Sequence, residues 1–71
     1  MLRFTDHARR RMVQRGITEG DVSRVVNLRS QVSPGDNGAV IYGGYTEAAR
    51  FLNVCCLFVD GDTVIKSAWF K

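Results

Sequence analysis

The apolar period changes near Arg29, and that change limits the chain to two helices followed by strands. Before it, Phe4, Ala8 and Met12 recur every fourth residue, the spacing of one buried helical stripe. Thr5 or Asp6 can cap the start of this helix, and Gly16 supplies a left-handed stop. Thr18 then opens a second helix. Asp21 stands where a capping box usually has Glu or Gln, and Ile17 and Val22 can form a hydrophobic staple across the cap. Val22, Val25 and Val26 give this helix its apolar face, which fades near Leu28 or Arg29.

Beyond Arg29 the signals are those of a meander. "SPGDNG" is dense in turn formers, with Val32 able to begin a short strand before it. "AVIYGGY" reads as a strand in which Gly43 and Gly44 mark a bend or bulge. "RFLNVCCLFV" and "DTVIKSAWF" are rich in strand formers, and the "DGD" between them signals a hairpin. The expected architecture is α+β: two N-terminal helices packed on one face of a three- or four-stranded antiparallel sheet. Alternation does not reveal which sheet face the helices cover. In the last strand, Thr63, Ile65, Ser67 and Trp69 form one set and Val64, Lys66, Ala68 and Phe70 the other, and each mixes apolar with polar.

With 71 residues, the chain is expected to be one domain spanning 1–71. A chain of that size buries only ~60% of the surface its unfolded form exposes, so a homodimer or a partner would be unsurprising. Cys55 and Cys56 are the only cysteines, and a bridge between adjacent residues would be strained. Reduced thiols in the cytoplasm are the expectation. No signal peptide is evident at the N-terminus, and "FLNVCCLFV" is too short to span a bilayer, so no membrane partner is expected.

The net charge is +3, and the cations crowd the start of the chain. Arg3, Arg9, Arg10, Arg11 and Arg15 are opposed there only by Asp6. Each helical residue turns by about 100°, so His7 and Arg11 are neighbours, with Gln14 close and Arg15 one turn further along. This strip borders the apolar stripe, at the rim between core and solvent. Arg9 and Arg10 point toward water. On spacing alone, packing and a backbone hydrogen bond explain a rim histidine better than chemistry does. No metal-ligand spacing, phosphate loop, nucleophile elbow or carboxylate pair is present, so no metal and no cofactor are expected.

"FTDHARRRMVQRGIT" resembles the N-terminal signature of the domain of unknown function 4258 family, H-A-x-x-R-M-x-x-R-G-I followed by a second helix. His7, Ala8, Arg11, Met12, Arg15, Gly16 and Ile17 all match it. "FLNVCCLFVDGDTVIKSAWF" looks like that family's closing hairpin, with Ser67 and Trp69 at its Ser/Thr-x-aromatic positions. The resemblance implies a small α+β fold akin to the RelE and barnase-like ribonuclease toxins, which cut RNA without a metal. It also implies an RNA substrate and an antitoxin protein as partner.

Metal-free cleavage needs a base, an acid and cations for the phosphorane charge. His is tuned for proton transfer near neutral pH, and Arg offers a rigid fork to phosphate oxygens. The expected catalytic set is therefore His7, Arg11 and Ser67, converging at the helix–sheet junction. Arg15, Arg10, Lys66, Trp69 and Tyr42 are the expected RNA-binding set, the aromatics as stacking platforms. Core packing explains those aromatics at least as well. The alternative function is a non-catalytic module of the same fold that binds nucleic acid or protein.

Overall fold

A computed structural model describes all of residues 1–71. In chain order the elements are β1 (Leu2–Phe4), α1 (Asp6–Arg15), α2 (Glu19–Leu28) and β2 (Gln31–Pro34), then, after a short 3-10 turn at Asp36–Gly38, β3 (Val40–Tyr45), β4 (Phe51–Val59) and β5 (Asp62–Phe70). The strands form one sheet in the order β1-β5-β4-β3-β2.

Both helices begin and end where their capping chemistry directs. The Thr5 side chain accepts the Ala8 N–H at 3.0 Å. Gly16, at φ 69°, closes α1 in the left-handed region, and the Ile17 N–H then donates to the Met12 carbonyl at 2.9 Å. At α2 the capping box is complete in both directions. Thr18 Oγ1 accepts from Asp21 N at 3.0 Å, and Asp21 Oδ2 accepts from Thr18 N at 3.1 Å. Asp replaces the usual Glu without loss of either bond.

The helices cover one face of the sheet. Ala8 and Met12 from α1 and Val22, Val25 and Val26 from α2 join Tyr42, Leu52, Val54, Cys56, Ile65 and Ala68 in a single core.

The sheet has five strands and is mixed, where three or four antiparallel strands were expected. The additional strand is β1, which pairs parallel to β5 through Leu2↔Thr63 and Phe4↔Ile65. Three residues are too few to show alternation. Phe4 matches the helical stripe by spacing, yet reaches the same core from the strand that precedes α1.

The bulge also lies elsewhere than expected. β3 pairs with β4 in unbroken register from Val40↔Cys56 to Tyr45↔Phe51, through both glycines. The irregularity is in β5, where Ile65 opposes Cys56 and Ser67 opposes Cys55, so Lys66 is the extra residue. This bulge explains the mixed alternation. Ile65 and Ala68, three apart, both lie in the core, so the inward set switches partway along the strand. No helix is long and apolar enough to cross a membrane.

Candidate functional site

Helix α1 divides its arginines among three environments. Arg9 is held: its Nη1 lies 2.6 Å from Glu19 Oε2 at the start of α2, and its guanidinium sits 5.1 Å from the Phe4 ring centroid. Arg15 is also held, donating from Nη1 to the Ala68 carbonyl of β5 at 2.8 Å. Arg10 and Arg11 have no carboxylate within ion-pair distance. With His7 and Gln14 they line an open recess of about 310 Å³ on the solvent side of α1, and no hydrophobic residue contributes to it. All four are exposed, and the one hydrogen bond among their side chains is a long one, Arg11 Nη1 to Gln14 Oε1 at 3.4 Å.

Arg10 faces solvent as the spacing argument has it, but it also joins His7, which that argument paired with Arg11 alone. Residues 7 and 10 are three apart, which on a helix makes them neighbours as surely as four apart does. That signal was in the sequence. Arg9, in contrast, reaches Glu19 only because the tight Gly16 turn brings the start of α2 beside it.

Ser67 does not join the recess. It pairs with Cys55, which lies between the fully buried core residues Val54 and Cys56 and therefore points to the opposite face. Ser67 is accordingly on the sheet face turned away from α1. Trp69, opposite Asn53, shares that face. Lys66 is half-buried at the bulge and makes no ion pair. Tyr42 is 5% exposed and belongs to the core, with Phe58 edge-on at 6.4 Å and the Arg29 guanidinium 5.1 Å from its ring centroid. No face of that ring is free to stack a base, which removes Tyr42 from the expected RNA-binding set. No cluster of three or more His, Cys, Asp or Glu side chains could hold a metal ion.

The recess can therefore hold an anion by two always-charged guanidinium forks, an imidazole and a carboxamide.

A family model described as a domain of unknown function, DUF4258, matches residues 4–70. The chain belongs to the DUF4258 family. The match runs from β1 to the last residue of β5, so the recess on α1 and the bulged hairpin both fall inside the DUF4258 domain. Comparison with curated proteins and with solved structures gives no match.

Proposed function

We propose that this DUF4258 domain binds RNA through the phosphate backbone, using α1, and that it does so without cleaving it. The observation that carries the reading is the His7–Arg10–Arg11–Gln14 recess, whose two guanidinium groups are unpaired while Arg3 and Arg9 are spent on Asp62 and Glu19. Unpaired guanidinium forks beside an imidazole suit phosphate oxygens. Acid–base cleavage of RNA would need a second proton-transfer group, and of the candidates Tyr42 lies in the core and Lys66 on β5, which leaves only water to serve beside His7. Binding is thus favoured over the ribonuclease reading that the toxin likeness suggests.

An acidic protein is the second candidate partner, and one observation favours it. Val13 stands 83% exposed on the same helix, beside Arg9, Arg10 and Gln14. An apolar contact ringed by cations fits an acidic segment with one hydrophobic anchor.

The test is anisotropy of labelled single-stranded RNA across a salt series, beside a cleavage assay on the same RNA. Arg10→Ala and Arg11→Ala should each weaken binding, and each lost phosphate contact should flatten the salt slope by roughly 0.7. Arg9→Ala should do less. RNA that stays intact supports the binding reading. Cleavage abolished by His7→Ala would establish the ribonuclease instead, and absence of RNA binding would leave the protein partner.

A further inference from the structure

The sheet face turned away from the helices carries a row of aromatic side chains across three adjacent strands. Tyr45 on β3 stands opposite Phe51 on β4, with the rings edge-on and 5.2 Å apart. Trp69 on β5 stands opposite Asn53, two residues along β4 from Phe51, which makes Trp69 and Phe51 diagonal neighbours on one face. Neighbouring strands lie about 4.8 Å apart, so the row spans about 10 Å. Tyr45 is 60% exposed, and Phe51 and Trp69 are partly exposed.

Gly43 makes the row possible. A Cβ there would lie 2.8 Å from Phe51 Cζ, so the ring occupies the space that a side chain on β3 would fill. The bulge at Lys66 contributes as well, because it leaves Ser67 and Trp69 facing outward while Ala68 enters the core.

The charge on this face has one sign where the aromatics lie. Asp62 is the only acidic residue in any strand. It sits at the hairpin end of β5 and is already met by Arg3 at 3.6 Å and the N-terminal amine at 3.9 Å. Lys71 lies beside the row, its ammonium 5.5 Å from the Phe51 ring centroid, and Lys66 is at the bulge, three residues before Trp69. A second copy of this chain would bring the same two lysines and, apart from the already paired Asp62, no strand carboxylate to meet them. A single-stranded nucleic acid offers π-faces to the rings and phosphates to the lysines.

We propose that the Tyr45–Phe51–Trp69 row on the open sheet face is a base-stacking platform for single-stranded RNA. It deepens the reading of the domain as RNA-binding and rests on that reading, but it uses a surface separate from α1.

Trp69 is the only tryptophan in the chain, so its fluorescence reports on this face alone. Titration of the full chain with oligouridylate should quench it saturably, and a duplex RNA of equal length should not. Tyr45→Ala should weaken oligouridylate binding by about tenfold, in line with loss of one stacked base. Tyr45→Phe, which keeps the ring, should bind like the wild type. Binding that is weakened by the Arg10→Ala/Arg11→Ala double variant yet leaves Trp69 fluorescence and Tyr45→Ala affinity unchanged overturns the platform while α1 stands. Quenching that survives unchanged in the double variant supports the platform and removes α1. A concentration-dependent dimer, lost in Tyr45→Ala by sedimentation, would assign the face to a second copy and overturn the proposal. Absence of any oligouridylate binding overturns both.

Discussion

The Arg15 guanidinium donates to the Ala68 carbonyl at 2.8 Å, fastening the last turn of α1 to the outer edge of β5. β1 covers that edge only as far as Ile65. Beyond it, Lys71 turns its N–H to the Phe51 carbonyl of β4, so by alternation Phe70 and Ala68 turn theirs outward. An unpaired strand edge is a template for pairing with another chain, and a cation placed on it is one way to block it. Arg15, expected among the RNA ligands, is engaged in that role.

Arg15→Ala should therefore lower stability by about 1–2 kcal/mol, the range for a hydrogen bond from a charged donor that is only partly buried. Urea denaturation measures it. Arg10→Ala, which removes the same charge from the free side of the helix, should stay within about 0.5 kcal/mol. Equal losses at the two positions would show that the contact with Ala68 contributes nothing beyond its charge.

Burial pushes the Cys56 thiol up from 9.0 to about 12, with the neighbouring Cys55 adding to the shift and Arg29 opposing it. Below pH 9 the thiol is protonated in folded and unfolded chains alike, and the group does not affect stability. Between about 9 and 12 the unfolded chain loses this proton while the folded one keeps it. Stability should then fall as pH rises, by up to about 1.4 kcal/mol per unit from this group. Denaturation midpoints from neutral pH to pH 10.5 or so check it. Cys56→Ala should begin less stable and decline less steeply; an identical decline would place the cause in other groups.

The helices were legible because their signals are local. Thr5, Gly16, Thr18 and Asp21 each act within a few residues, and the helical spacing of Val22, Val25 and Val26 is undisturbed by anything distant. The sheet was legible only in part. β1 owes its existence to pairing with residues some sixty positions away, which no three-residue pattern can announce. The covered face of β5 was hidden by the bulge, which joins half of one alternating set to half of the other. The same change of parity took Ser67 away from His7 and Arg11. Of the recess, His7, Arg11 and Gln14 follow from spacing. Arg10 is exposed as its spacing predicts, and its place beside His7 was available to the same rule at three residues. The pairing of Arg9 with Glu19 depends on how α2 turns back after Gly16, which is a property of packing.

Two valines of similar helical context separate burial from propensity. Val25 is fully buried between α2 and the sheet, whereas Val13 is exposed among arginines. Val25→Ala should cost about 2 kcal/mol through lost contacts and a residual cavity. Val13→Ala should be neutral or slightly stabilising, within about 0.5 kcal/mol, because Ala is the better helix former. Thermal or urea unfolding of the two variants checks the face assignment of each helix.

Lys66 gives the sharpest test of the sheet. Removing it would join Ile65 directly to Ser67, and the alternation would then run without a break: Thr63 and Ile65 inward, Ser67 outward, Ala68 inward, Trp69 outward. Both halves of β5 keep the faces and the β4 partners they already have, with Ile65 against Cys56 and Ser67 against Cys55. Deletion of Lys66 should therefore leave a cooperatively folded protein with a straighter strand, since the local twist that a bulge adds would be lost. Deletion of Val64 removes a paired residue instead. It would shift Thr63 to the outer face and break the register with both Leu2 and Phe58. Its denaturation midpoint should fall well below that of the Lys66 deletion. If the Lys66 deletion is the more damaging of the two, the bulge is a structural requirement of the hairpin and not an insertion that the sheet accommodates.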